Sequence, residues 1–483
     1  MSFSQWEEVR MRASRNRYIS MPHTKAGKEI SVDICRTSRP NFHKRLAASA
    51  GLSLLFLVVY GGCNWITSQR TDIAILYFQW ERAIPFVPFF ILPYLSIDFF
   101  FIVAPFLCQS ERELRAFSRR VTAAILTSGT CFLLFPFRFA FSRPHANGWV
   151  GVLFDWFRQL DAPYNLVPSL HATFWMFLVE LYFRHTRGLL RGAIIVWMSL
   201  ILVSPILAYQ HHAIDIITGF ALAGYCFYFF RETGEKLPGI NSYRIGFYYL
   251  TGGLVVFMTA LALWPWGALL LWPALTLAIV AAAYFGAGPV VFGKSNGRLP
   301  LSTWFVLGPC LLGQYLSLLY YRRQCRPWDE IVPNVWIGRA LNNREANAAV
   351  HGGVVAVLDL SGEFSEAEPF RATAYKNLPV LDLTAPTIEQ LTQMAGFINE
   401  QSRHGIVYVH CKIGYSRSAA AVAAYLLVSS QAADVQQAFA IIRRARPSIV
   451  IRPEVKASLA EFEKFCLKRN SPAERCLSAL AKT

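Results

Sequence analysis

His410-Cys411-Lys412-Ile413-Gly414-Tyr415-Ser416-Arg417-Ser418 follows an apolar run, Ile406 to Val409, and leads into an alanine-rich stretch, Ser418 to Ser429. The run reads as a buried strand and the stretch as a helix, so these residues form a tight strand-to-helix loop. Such a loop turns the backbone N–H groups of Lys412, Ile413, Gly414, Tyr415 and Ser416 into an anion nest, and the helix N-terminus adds positive potential. A phosphate fits inside. The same field favours a Cys411 thiolate, while Arg417 can hold two phosphate oxygens in a bidentate fork. Ser418 can then assist release of the thiolate. This is the equipment of two-step covalent catalysis through a phosphocysteine, and it requires no metal.

Outward from the loop, Val354 to Leu360 reads as a second buried strand and Ile388 to Gln401 as a helix. Strands alternating with helices predict an α/β domain with a mainly parallel sheet. The HCxxGxxRS motif resembles that of the cysteine-dependent dual-specificity phosphatases. The resemblance runs from about Trp328 to Phe465 and includes Val335-Trp336-Ile337-Gly338-Arg339. It implies a general acid on an upstream loop. Asp382, in Leu378-Pro379-Val380-Leu381-Asp382-Leu383-Thr384, lies 29 residues before Cys411 and is the candidate. Asp359 is the alternative, but it ends a strand and reads better as the cap of the following turn. Lys412 resembles the extra loop cation of the lipid-directed members; its plainer reading is a solvated loop lysine. The remaining nine of the ten cysteines are scattered without a CxxC pair and read as packing residues.

The rest of the 483-residue chain is of another physical class. Hydrophobic residues make up 54%, charged residues only 16%, and mean hydropathy is +0.33, which excludes an ordinary soluble protein. High aromatic content and the absence of a fixed period exclude disorder, fibrous repeats and a small disulfide scaffold. Gly246 to Phe292 runs 47 residues without Asp, Glu, Lys, Arg or His. Eight spans are expected, near Leu46 to Thr67, Ile84 to Cys108, Val121 to Phe141, Leu166 to Phe183, Ala193 to Tyr209, Ala213 to Phe230, Phe247 to Trp264 and Leu269 to Phe292. Basic residues from Arg10 to Arg45 place the N-terminus in the cytoplasm. Arg112, Arg115, Arg119 and Arg120, then Arg184, Arg187 and Arg191, then Arg231, Lys236 and Arg244 mark the cytoplasmic loops. The net charge of +17 therefore reads as topology and attraction to anionic lipid, not as a nucleic-acid footprint. Thr303 to Tyr321 has basic residues on both flanks and a Gly308-Pro309 interruption, so it is read as re-entrant or interfacial, with a ninth span as the alternative.

Ionisable groups at membrane depth are expensive and point to function. Arg138 and Arg143-Pro144, Pro168-Ser169-Leu170-His171, and His211, His212 and Asp215 all fall on the non-cytoplasmic side. Guanidinium groups, a helix N-terminus with a serine, and histidines paired with a carboxylate at i, i+4 suit phosphoryl transfer. These residues resemble the signature of the type-2 phosphatidic acid phosphatase superfamily, over roughly Ile84 to Glu232. The resemblance implies His211 as the nucleophile, Asp215 as its orienter, His171 as the acid, and Arg143 and Ser169 as phosphate holders. Pro136, Leu170 and Pro205 replace the Lys, Gly and Arg of that signature. Those changes, with Asp161-Ala162-Pro163-Tyr164-Asn165, are similar to the sphingomyelin and inositol-phosphorylceramide synthase branch, where the acceptor can be an alcohol; Arg138 would stand in for one missing cation.

The expected fold is a polytopic α-helical membrane domain, a six-helix phosphatidic acid phosphatase-like core plus additional spans, followed by a soluble α/β dual-specificity phosphatase domain. Boundaries fall at a basic segment 1–45, the membrane core 46–245, further helices 246–326, the phosphatase 327–470 and a tail 471–483. The expected localisation is the inner (cell) membrane, with the phosphatase domain cytoplasmic and the histidine site outside. Expected partners are a membrane lipid phosphate and a phosphoprotein, without nucleic acid, cofactor or metal. Three functions fit: a lipid phosphomonoesterase with two centres, a head-group phosphotransferase coupled to a phosphatase, and a lipid-sensing anchor regulating a protein phosphatase.

Overall fold

A computed structural model describes residues 39–160, 162–232 and 241–468. The basic residues from Arg10 to Arg36, Asp161, Lys236 and the tail 471–483 lie outside the described residues. The N-terminal part is helical: α1 Phe42–Ser68, α2 Ile91–Leu107, α3 Glu111–Leu134, α4 Gly148–Leu160, α5 Leu170–His185, α6 Gly188–Leu207, α7 Ala213–Phe229, α8 Tyr243–Ala262, α9 Leu271–Ala282 and α10 Leu301–Tyr321. Polar caps start several of them. Asn41, Ser110 and Ser169 each accept a hydrogen bond from a backbone N–H three residues on, satisfying donors that a helix start leaves free.

Among the described residues, six segments are long and apolar enough to cross a bilayer: Phe42–Ser68, Pro88–Leu107, Gly188–Leu207, Tyr243–Ala262, Trp266–Phe292 and Leu301–Tyr321. The third, fourth and sixth expected spans differ. α3 begins at Glu111 and ends at Leu134 before Pro136, so Arg112, Arg115, Arg119 and Arg120 are helical, not a loop. α5 and α7, at 16 and 17 residues, fall short of the 20 to 27 residues of those six segments. The amphipathic α4 was not expected; its Val150 and Phe154 pack with Ile91 and Tyr94 of α2.

α10 corrects the expected break at Gly308-Pro309, because the helix runs unbroken through Pro309. Proline removes the N–H that would bond to the Phe305 carbonyl. Trp272 Nε1 supplies that bond instead, at 3.0 Å, and Thr276 Oγ1 donates to the Val306 carbonyl at 2.8 Å.

The C-terminal part is a five-stranded sheet in the order β1-β2-β5-β3-β4: β1 Trp328–Val332, β2 Val335–Gly338, β3 Val354–Asp359, β4 Ala374–Asn377 and β5 Ile406–His410. Only β1–β2 is antiparallel; the other three pairings are parallel. Helices α11 Asn343–His351, α12 Glu368–Arg371, α13 Ile388–Gln401, α14 Arg417–Val428, α15 Val435–Ala445 and α16 Pro453–Lys468 flank it. The alanines of α14 are fully buried between sheet and helices, where small side chains permit close approach. A separate apolar cluster joins the two parts, bringing Leu381 of the C-terminal part against Tyr284, Phe292, Leu299 and Val306. Backbone bonds reinforce the junction, with Glu366 N donating to the Gly297 carbonyl at 2.6 Å.

Candidate active site

The loop after β5 lies at the carboxyl end of the central parallel strand, where open α/β sheets bind ligands. Gly414 has φ +78°, and a Cβ there would strike the Gly338 carbonyl, so glycine alone lets the loop curl against β2. Arg446, which the sequence reading missed, braces this curl from beneath. Its Nε and Nη2 each donate at 3.1 Å, to the Gly414 and Ile413 carbonyls, and its Nη1 pairs with Asp329 at 2.7 Å.

Cys411 sits at the floor of the nest, and Gly414 N donates to its sulfur at 3.3 Å. Burial opposes ionisation, but the Arg417 guanidinium, the Ser418 hydroxyl and the N–H groups of Gly414 and Ser418 outweigh it. The thiol is thereby held below its usual range. Arg417 opens α14 and is oriented by Glu363, whose oxygens lie 2.6 and 3.2 Å from Nη2 and Nη1, and by the Val380 carbonyl at 2.8 Å. Nothing in the spacing of Glu363 marks it as this partner.

Asp382 reaches the mouth of the same loop, with Oδ2 at 2.8 Å from Lys412 Nζ and Oδ1 at 3.4 Å from Arg417 Nη2. Burial raises its pKa, yet Arg417 and Lys412 win and hold the carboxyl below its ordinary value. Lys412 is thus a paired loop cation and not a solvated one. Asp359 is spent elsewhere: its Oδ1 accepts from Ser361 N at 2.8 Å, capping the turn, and its Oδ2 accepts from Tyr375 Oη at 2.6 Å.

His410 lies behind the loop, paired with Glu366 at 2.7 Å. Burial disfavours its charge, but Glu366 and Asp359 prevail and push its pKa up to about 9. Asp359, Glu366 and His410 have the donor types and closeness to hold a metal ion. The buried Lys294 ammonium pairs with Asp359 and supplies positive charge to that cluster. Lys294 precedes α10 and comes from outside the C-terminal sheet domain.

With this geometry the loop can bind a phosphoryl group, accept it on sulfur and release it to water. Residues 339–465 match the family described as dual specificity phosphatase, catalytic domain. They form a dual-specificity phosphatase catalytic domain. The chain is similar to the phosphatidylglycerophosphate phosphatase PTPMT2 of Arabidopsis thaliana, 29% identical over 164 residues that cover 31% of this chain and 72% of the relative. It is also similar to the phosphatidylglycerophosphatase and protein-tyrosine phosphatase 1 of Rattus norvegicus, 40% identical over 89 residues. That match spans 18% of this chain and 46% of the relative. A crystal structure of PTPMT1 in complex with PI(5)P is 26% identical, covers 30% of this chain and all of that one, and gives a TM-score of 0.28. Within this phosphatase domain, Asp382→Asn is expected to lower kcat about 10²-fold or more for an alkyl phosphate and far less for an aryl phosphate, whose leaving group needs no proton. Equal losses on the two substrates would remove Asp382 from the acid role.

In the helical part, the residues of the second expected site are placed as follows. His211 Nδ1 lies 3.3 Å from Asp215 Oδ2 at the start of α7, and both are buried. Ser169 caps α5, and its N–H donates to the Asp215 carbonyl at 3.1 Å. Arg143 Nε donates to the Tyr209 carbonyl at 3.1 Å. His171 Nε2 is 3.2 Å from the Ile201 carbonyl, and its ring stacks on Tyr94. Arg138 is exposed, and its backbone N–H donates to the Ala74 carbonyl at 2.9 Å. His212 has a different task. Its Nε2 accepts from Ala140 N at 3.0 Å, so its Nδ1 carries the proton donated to Glu81 at 2.7 Å. This pair ties the segment after α1 to α7, and Glu81 had no signal in the sequence.

Proposed function

We propose that the chain is a membrane-bound phosphatase of lipid phosphomonoesters, working through a phosphocysteine at Cys411, with a second, phosphohistidine centre at His211. The observation that carries this reading is the attachment of the cysteine site to apolar helices of bilayer length. Leu381, next to the acid Asp382, packs into the cluster of Tyr284, Phe292 and Val306, so the mouth of the loop adjoins those helices. Relatives whose names specify phosphatidylglycerophosphate support the same substrate class. Asp382 protonates the leaving oxygen as the S–P bond forms, and water attacks the phosphocysteine once the alcohol has left.

The His211–Asp215 pair, with Ser169 and Arg143 nearby, supports the second centre, with His171 as acid. Its acceptor is water or a lipid alcohol. The charge-free run from Gly246 to Phe292 in α8 and α9 and the basic ends of the helices favour a multi-pass protein of the inner membrane, with the phosphatase domain on the cytoplasmic side, where thiols stay reduced. The test is phosphate release by the full chain in lipid nanodiscs, comparing phosphatidylglycerophosphate and phosphatidic acid with a phosphotyrosine peptide. Preference for either lipid is expected, and turnover of the peptide alone would overturn the lipid reading.

A further inference from the structure

The Lys412 ammonium has two partners, and they come from different parts of the chain. One is Asp382 Oδ2 at 2.8 Å; the other is Gln314 Oε1 of α10, also at 2.8 Å. Gln314 lies midway along an otherwise apolar turn, between Leu311, Leu312, Tyr315 and Leu316, and is half-buried toward the phosphatase loop. α10 is fixed against the phosphatase domain at both ends. Lys294 and Leu299, which precede it, bond to Asp359 and to Ser365 Oγ; Arg322, which follows it, pairs with Glu345 at 3.1 Å. Tyr321 at its last turn meets the Tyr415 ring of the cysteine loop. A helix of 21 residues is about 31 Å long, the breadth of a small domain, so α10 lies across the face that bears the loop. Tyr284, beyond the end of α9, donates to the Asp382 carbonyl at 2.9 Å and holds the acid loop from the same side.

A general acid must be protonated when the leaving group departs, and a carboxylate gripped by two cations resists protonation. Substrate phosphate takes over Arg417, which removes one of the two. The remaining cation is Lys412, and a neutral carbonyl oxygen that shares it weakens its hold on Asp382. We propose that Gln314, from outside the phosphatase domain, is a positioning residue of the cysteine site: by sharing Lys412 it releases Asp382 to take up and deliver the proton. The step balances: sulfur attacks phosphorus, the P–O bond breaks, and the Asp382 proton goes to the departing oxygen. The proposal rests on the phosphocysteine chemistry above, and it makes the helical part a component of the active site. Exposed Leu312, Tyr315, Leu316 and Tyr320 on the same helix would leave the hydrocarbon of a lipid substrate beside the loop.

The experiment uses the full chain in nanodiscs, with an aryl phosphate, a phosphoserine peptide and phosphatidylglycerophosphate as substrates, across pH 5 to 8. Gln314→Leu removes the acceptor and keeps the bulk; its kcat is expected to fall about thirtyfold on the two alkyl phosphates and about threefold on the aryl phosphate, with little change in KM. Gln314→Glu keeps an acceptor for Lys412 and is expected to recover most of the loss. If Gln314→Leu does not fold, Gln314→Met carries the test, since it removes the acceptor with a nearly isosteric side chain and should show the same leaving-group dependence. Equal losses on aryl and alkyl substrates, or no recovery in Gln314→Glu, overturn the proposal. If wild type turns over the peptide but not the lipid while the leaving-group split persists, Gln314 keeps its role and the lipid reading falls.

Discussion

Cys411→Ser protein is expected to lose phosphomonoesterase activity of the C-terminal domain by a factor on the order of 10⁴ or more, while still binding phosphate analogues. The reason is in the loop. Arg417, Ser418 and the N–H of Gly414 together overcome the burial that opposes a Cys411 thiolate, and a serine hydroxyl, with its far higher pKa, stays protonated in the same field. The Arg417–Glu363 pair and the Arg446 brace do not involve the sulfur, so the anion site persists and vanadate should still bind. Phosphate release and vanadate protection against thermal unfolding check the two halves of the statement. More than about 1% residual turnover that survives an added His211→Ala change would mean that neither proposed centre does the chemistry. Residual lipid turnover abolished by His211→Ala would instead assign it to the helical part.

Lys294→Ala is expected to destabilise the phosphatase domain by about 3–5 kcal/mol, the usual cost of removing one partner from a buried ion pair. Lys294 and Asp359 are both almost fully enclosed, and Lys294 Nζ also donates to the Ser361 carbonyl at 3.1 Å. Without the ammonium, Asp359 and Glu366 would share a buried pocket with His410 as the one remaining cation in their ion-pair cluster. Lys294→Met should fare no better, because charge and not volume is lost. Thermal unfolding of the full chain should begin roughly 10 °C lower. A change of less than 2 °C would show that the pocket re-solvates at small cost, and that the junction is not held by this pair.

The cysteine loop was legible because its chemistry is local. A nest, a thiolate and a fork-shaped guanidinium must lie within one turn of chain, so Cys411, Gly414 and Arg417 appear together in the sequence between a strand and a helix. The strands β3 and β5 and the helix α13 were legible for a related reason: buried runs and capped amphipathic runs carry their own periodicity. Strands β1 and β4 were not, since short edge strands are half-exposed and have little pattern.

The helical part shows the limit from the other side. Apolar length alone located five of the six bilayer-length apolar segments among the described residues, all but α10, but helix ends at Leu134 and Leu170 were set by Pro136 and the Ser169 cap, and the run through Pro309 by Trp272 and Thr276 donating across from α9. No local rule foretells such a rescue.

The amino-acid sequence by itself determined the apolar class of the first part and the strand-to-helix loop that brings Cys411, Gly414 and Arg417 together. Asp382 was favoured over Asp359 by the sequence already; tertiary structure alone decided that Glu363 orients Arg417, and that Lys294 and Gln314 enter the phosphatase domain from the helical part before it. The physical reason is range. A backbone nest is made by neighbours in sequence, whereas burying a charge requires a counter-charge from wherever the fold can bring one, and that partner leaves no trace in spacing.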